Sequence, residues 1–162
     1  MTYRPITPDD HDYALECHCK NNYACDAPWA RAMPYEQYRA NWFAMPGQMD
    51  EFWQHLLESM KDPRTVAELM LDEDGAIAGY FWAPFWEAEA GFSCLELQDI
   101  YIEEAYRRQG LAAQWFARAE EHARSCGAKV FRSGTGCENA ASIAMHKRLG
   151  FYVQRYEFEK VL

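Results

Sequence analysis

Arg107-Arg108-Gln109-Gly110-Leu111-Ala112 lies between an apolar run with strand character, Leu95 to Ile102, and a run with helix character, Gln109 to Cys126. A strand that enters a helix through a glycine turn leaves unpaired backbone N–H groups aimed at one point, and the helix dipole adds positive potential there. Arg107 and Arg108 reinforce that potential, and Gly110 allows close approach of a ligand to the main chain. The turn suits a pyrophosphate held without a metal, although a glycine loop alone also fits a plain turn with solvated arginines. No G-x-x-x-x-G-K-[ST] loop occurs, and no G-x-G-x-x-G opens a helix after the first strand. Nucleotide hydrolysis and Rossmann-type hydride transfer therefore lose their usual support.

Outward from this turn, the helix carries Leu111, Trp115, Ala119, Ala123 and Cys126 on one stripe and stops at Gly127. Val130 to Ser133 follows as a short strand, Asn139 caps a helix to Leu149, and Phe151 to Phe158 reads as a last strand. Before the turn, Tyr3 to Ile6 is a strand, and Thr7-Pro8-Asp9-Asp10 caps a helix to about Lys20. Helices are expected over Pro34 to Ala44 and Gln48 to Met60. Thr65 to Leu71 and Ala76 to Trp86 form a hairpin around the acidic turn Asp72-Glu73-Asp74-Gly75, and Phe92 to Ile102 is the next strand. The order β-α-α-β-β-β-α-β-α-β describes a mixed α/β (α+β) domain over residues 1–162, one sheet with helices on its faces.

The chain of 162 residues is long enough to bury roughly 70% of its extended surface. Its formal net charge of -9 disfavours a surface that tracks nucleic-acid phosphates and favours a cationic or neutral substrate. The first residues lack an apolar leader core and no apolar run reaches membrane-span length, so the reading is a soluble, cytoplasmic protein. Six cysteines are read as reduced thiols. Cys17-His18-Cys19 with Cys25 lacks a C-x-x-C pair, and no metal site is expected.

A second constellation is Asn139-Ala140-Ala141-Ser142-Ile143-Ala144-Met145-His146-Lys147-Arg148-Leu149-Gly150-Phe151. Asn139, Ser142 and His146, spaced by three and four, share a helical face. On this helix alone, Asn139 is equally a cap and His146 a surface histidine.

Together, R-x-x-G-x-A after a strand and N-x-x-S-x-x-x-H-x-x-L-G-F about thirty residues later resemble motifs A and B of the GNAT superfamily of N-acetyltransferases. The resemblance covers roughly Leu95 to Leu162. Around motif B it is similar to aminoglycoside and other small-amine N-acetyltransferases, with one departure: Gly134 follows Arg132-Ser133 where the aminoglycoside enzymes often carry an aspartate. The resemblance implies a GNAT-like, mostly antiparallel sheet with splayed central strands, and acetyl-CoA as cofactor. Its pyrophosphate would lie on the turn of Arg107, Arg108, Gln109, Gly110, Leu111 and Ala112. Its pantetheine would lie along Ile100, Tyr101 and Ile102, with Asn139 and Ser142 nearby. His146 stands where many members have a tyrosine that protonates the departing thiolate.

Direct transfer to an amine needs two proton-handling groups. An amine with a pKa near 10.4 is only about one part in two thousand free at pH 7, so a base is required. Glu96 is the base candidate, acting through water, because family members often carry a glutamate at that position or two residues later. Alternation places Glu96 and Gln98 on one strand face with Ile100 and Ile102, and Asp99 on the other with Tyr101, where it would fasten a neighbouring group. His146 is the candidate acid at the thiolate, or a base toward the amine. Trp29, Trp42, Trp53, Trp82 and Trp86, with Glu87 and Glu89, could line an acceptor pocket for a cation, although aromatics are core by default.

The expected function is acetyl-CoA-dependent acetyl transfer to a primary amine, with a small cationic amine as partner. Two alternatives stay open: a non-catalytic acyl-CoA-binding module, and an acetyltransferase for protein N-termini or lysine. Homodimer formation is left open as well.

Overall fold

The computed structural model describes residues 1–88 and 91–161. Glu89, one of the expected pocket acids, lies outside the described residues. In chain order the elements are β1 (Thr2–Pro5), α1 (His11–Cys25), α2 (Pro28–Arg31), α3 (Tyr35–Ala44), α4 (Gln48–Ser59), β2 (Val66–Leu71), β3 (Ile77–Ala83), β4 (Phe85–Ala88), β5 (Phe92–Leu97), β6 (Asp99–Ile102), α5 (Leu111–Ser125), β7 (Val130–Ser133) and α6 (Ala140–Arg148).

The strands form a four-stranded antiparallel sheet, β1-β2-β3-β6, and a three-stranded sheet, β4-β5-β7, in which β5 and β7 run parallel. The expected mixed, mostly antiparallel sheet with parting central strands is therefore present, but two of its long strands are broken. The strand expected over Ala76 to Trp86 breaks at Pro84, which has no N–H to donate to a ladder. The strand expected over Phe92 to Ile102 breaks at Gln98. There Gln98 N donates to Trp82 O at 2.9 Å while Asp99 is the register partner of Trp82, so two residues oppose one, as in a β-bulge.

That extra residue reverses the facing of everything after it. Glu96 and Asp99 share one face, whereas Ile100 and Ile102 pack into the core on the other. The expected grouping of Glu96 with Ile100 and Ile102 is thus corrected, because simple alternation counts no bulge.

Each face has its own core. On the first, α1, α3 and α4 cover Leu69, Tyr80 and Trp82 with Leu15, Trp42 and Leu56. On the second, the predicted stripe of α5 buries Leu111, Trp115, Ala119 and Ala123 against Met70, Phe81 and Leu95. Trp115 is fully buried and donates from Nε1 to Glu68 Oε1 at 2.7 Å, so the charge of Glu68, also paired with Arg118, is met inside the fold. Trp42 and Trp82 are core residues and Trp29 is 60% exposed, so the aromatic segment is mainly scaffold.

The last expected strand, Phe151 to Phe158, is not formed. Phe151 seals against Phe116 and Phe131. Among the described residues from Tyr152 to Val161 no strand pairs with the rest of the chain, and Tyr152, Tyr156 and Phe158 are exposed. Alternating apolar residues make a strand only where a partner ladder exists.

Candidate active site

The two sheets part at one point. β5 and β7 stay paired from Cys94↔Val130 to Leu97↔Ser133, and β6 then follows β3 alone among the described residues. Along β6, Glu103 N donates to Ala78 O at 2.9 Å, which sets the alternation of the ladder. The N–H groups of Ile100 and Ile102 therefore point away from β3, into the gap between β6 and β7. The Ile102 carbonyl, on the same side, accepts from Arg107 Nε at 2.9 Å. A gap lined by free main-chain donors on one strand can hold an extended ligand as a strand would be held.

The gap leads to the turn quoted first. Arg108 adopts φ 61° and Gly110 φ 78°, both left-handed, and Gly110 immediately precedes α5. The first turn of α5 has no acid to occupy its N–H groups, and a Cβ on Gly110 would meet nothing within 4 Å. The approach to the helix end is open and electropositive, which fits a pyrophosphate. Arg107 turns back over the Tyr101 ring, 5.3 Å from its centroid, while Arg108 is exposed. Gln109 donates to Ala105 O, Leu111 is buried, and Ala112 is half-buried in the first helical turn.

Glu96 stands on the first face. It accepts from Trp86 Nε1 at 2.8 Å and lies 3.8 Å from the Arg132 guanidinium. It lines a cavity of about 520 Å³ with His55, Glu58, Ser59, Asp62, Trp86 and Gln98. Asp62 is already paired with Arg64 and Glu58 with Lys61, which leaves Glu96 beside Trp86 as the carboxylate here that would meet a small cation. Glu87 instead pairs with Arg64 at the surface.

α6 stands on the second face. Asn139 is its N-cap, with Oδ1 accepting from Ser142 N at 3.2 Å. His146 packs edge-on against Phe116 and Phe151, with Nδ1 at 2.8 Å from Ser142 O and Nε2 at 2.7 Å from Ser133 Oγ. Glu96 and His146, the two candidate proton carriers, thus lie on opposite faces of the paired β5 and β7.

The sequence reading missed the clamp that closes the gap. Asp99, 2% exposed, accepts from His18 Nδ1 at 2.7 Å, Asn21 Nδ2 at 3.1 Å and Tyr80 OH at 3.3 Å. Burial pushes the Tyr80 hydroxyl well above its usual range, so it stays a donor. Asn22 Nδ2 caps His18 Nε2 at 3.1 Å. At its other end α1 meets the loop after β7, where a Cβ on Gly136 would sit 2.6 Å from Cys25 O, and Arg31 pairs with Glu138 at 3.1 Å. α1 and α2 together therefore bridge the gap from β6 to residues 136–138. The fastening role expected for Asp99 holds, but two of its partners, His18 and Asn21, come from a helix about eighty residues away, which no local pattern displays.

Asp99→Ala leaves the buried Tyr80 hydroxyl and the half-buried His18 and Asn21 donors without their acceptor, and should cost about 3 kcal/mol in urea unfolding, with weakened acceptor binding where stability allows assay. Asp99→Asn, which keeps the shape, should cost less.

Among the thiols, burial pushes Cys17 up to about 12 and raises Cys94, so neither is an activated nucleophile. No helix among the described residues is long and apolar enough to cross a membrane.

Parting strands, an open helix N-terminus and an intervening bulge are the features of one class of fold, and the comparisons agree. The acetyltransferase (GNAT) family profile matches residues 17–151, so the chain belongs to that family, whose acyl donor is acetyl-CoA. An L-methionine sulfoximine/L-methionine sulfone acetyltransferase of Salmonella typhimurium is 34% identical over 85 residues, 52% of this chain and 50% of that protein. An L-amino acid N-acyltransferase of Escherichia coli is 31% identical over 95 residues, 57% of this chain and 55% of that protein. In those matches the chain spans about half the length of the curated relatives. An apo aminoglycoside antibiotic 6'-N-acetyltransferase from Acinetobacter haemolyticus superposes with a TM-score of 0.64 at 18% identity, covering 100% of this chain and 99% of that one, which shows a shared fold.

Proposed function

We propose that the protein is an acetyl-CoA-dependent N-acetyltransferase that transfers the acetyl group directly to the primary amine of a small cationic molecule. The observation that carries this reading is the gap itself, with free main-chain donors at Ile100 and Ile102, an open helix end at Gly110, and a carboxylate-lined cavity on the face of Glu96.

Acetyl-CoA supplies an activated carbonyl whose leaving group is a thiolate. Of the chain's own residues, the main chain from Arg108 to Ala112 holds the diphosphate, and Ile100 and Ile102 align the pantetheine arm and polarise the carbonyl through N–H groups. Asn139 and Ser142 fix the start of α6 beside that arm. Glu96 draws the ammonium into the cavity and takes its proton, directly or through water. Tyr101 and Arg107 stack at the mouth and hold the β6-to-α5 turn.

Glu96 beside Trp86, with Glu58 and Asp62 at the same cavity though paired to Lys61 and Arg64, supports a polyamine or aminosugar. A second reading, an α-amino acid analogue, is favoured by the relatives' names. Product mass spectrometry after incubation with acetyl-CoA and a mixed amine panel should show mass gains of one acetyl group on polycationic amines ahead of methionine sulfoximine. Acetylation of methionine sulfoximine alone would replace the cationic assignment with the amino-acid one, and cofactor binding without any amine-dependent thiol release would favour the non-catalytic module.

A further inference from the structure

The transferase reading leaves open which atom meets the departing sulfur. His146 stands at the helix position where many relatives carry a tyrosine, but its ring is committed elsewhere. A carbonyl can only accept, so the 2.8 Å contact with Ser142 O places the hydrogen on Nδ1. Nε2 lies 2.7 Å from the Ser133 hydroxyl: in the neutral ring it accepts from that hydroxyl, and in the protonated ring it donates to Oγ and leaves the hydroxyl hydrogen free to turn toward the gap. The ring cannot swing toward the gap without losing both bonds and its edge contacts with Phe116 and Phe151, whose centroids lie 5.3 and 5.2 Å away.

Ser133, by contrast, is at the edge of the gap. It is the last residue of β7, opposite Leu97 in the final pair before the strands part, and it is half-buried. An imidazole is shorter than a phenol, and the hydroxyl lies beyond the point where the shorter ring ends.

We propose that Ser133 is the residue that hands a proton to the leaving thiolate, with His146 behind it as a positioning residue and proton source. The inference rests on the transferase reading of the same gap. In the step, the amine nitrogen forms its bond to the acetyl carbon as the carbon–sulfur bond breaks and its electron pair passes to sulfur. The Ser133 hydroxyl gives its proton to sulfur while protonated His146 gives the proton on Nε2 to Ser133 Oγ. His146 is left with its lone pair on Nε2 and regains a proton from solvent, to which the proton lost by the amine is also delivered. Amine and thioester become amide and thiol, with no other reactant.

The group facing His146 from α5 is Phe116, and Phe151 closes it from the chain beyond α6. The cation next to Ser133 on β7, Arg132, lies over the Trp86 ring and near Glu96 on the opposite face. The pair is thus insulated from the acceptor side.

The test is a set of variants, Ser133→Ala, His146→Ala, their combination and Ser133→Thr, assayed for thiol release with the best amine, with coenzyme A affinity measured by calorimetry. Ser133→Ala and His146→Ala should each lower kcat about 100-fold, the general-acid range. The double variant should be no slower than either, Ser133→Thr should keep most of the activity, and coenzyme A affinity should stay within about two-fold. Full turnover in Ser133→Ala beside a slow His146→Ala, or losses that multiply in the double variant, would overturn the relay while leaving the transferase reading intact. A wild-type chain that releases no thiol with any amine would overturn both.

Discussion

Replacing Glu96 with glutamine is expected to lower kcat/KM for the acceptor amine by about 100-fold to 1,000-fold at pH 7, the range that a positioned base supplies. Glutamine keeps the volume and can still accept from Trp86 Nε1, so the cavity wall stays in place while charge and basicity are lost. Without a base, the variant must wait for the free amine, which increases tenfold per pH unit below the amine's own pKa. Its kcat/KM should therefore climb about tenfold per unit between pH 7 and 9, where the wild-type profile is flatter. Steady-state thiol release across that range, with circular dichroism to confirm the fold, decides the matter. Unchanged kcat/KM at pH 7 would remove Glu96 from the reaction.

The second large effect concerns Gly110. Gly110→Asp puts an aspartate at the N-cap of α5, a position that residue type favours because its carboxylate accepts from the first free N–H groups of the helix. Those are the donors assigned to the pyrophosphate, and the added negative charge repels it as well. Coenzyme A affinity should fall on the order of 100-fold, about 2.7 kcal/mol. Gly110→Ala isolates the backbone. Its Cβ would meet nothing within 4 Å, so its cost is the left-handed φ of 78°, about 1–2 kcal/mol of folding stability, with a much smaller loss of affinity. Equal losses in the two variants would point to a loop distortion rather than competition for the helix end.

Much of the scaffold was legible because its signals are local. The stripe on α5, the glycine at its N-cap, the Asp72-to-Gly75 turn and the Asn139 cap each follow from residues within one or two turns of each other. The glycine turn before α5 and the helix of His146 were legible for the same reason. What was not legible depends on partners far along the chain. The bulge at Gln98 shows in the sequence only as a slip of phase, from Leu95 and Leu97 to Ile100 and Ile102, which strict alternation passes over and the ladder to Trp82 makes plain. His18 read as part of an unconvincing metal cluster, yet it holds Asp99, and Ser133 read as an ordinary strand end, yet its hydroxyl lies 2.7 Å from His146 Nε2. α2 is too short to show a period, and the stretch after Phe151 has strand composition without a strand partner.

The division of labour between the two faces gives these residues their meaning. In the proposed reaction the acceptor would enter beside Glu96, on the face covered by α1 and α4, and the sulfur would leave beside Ser133 and His146, on the face covered by α5 and α6. The bulge is what allows both in so short a span, because it turns Asp99 toward α1 and leaves the main chain of Ile100 and Ile102 facing the gap.

The most direct measurement is isothermal titration of coenzyme A into the wild-type chain, repeated with Gly110→Asp. Saturable heat is expected with a dissociation constant between about 1 μM and 1 mM for the wild type, and on the order of 100-fold weaker binding for the variant. No heat from the wild type at millimolar coenzyme A, or equal affinity in the two proteins, would contradict the assignment of the diphosphate to the turn before α5.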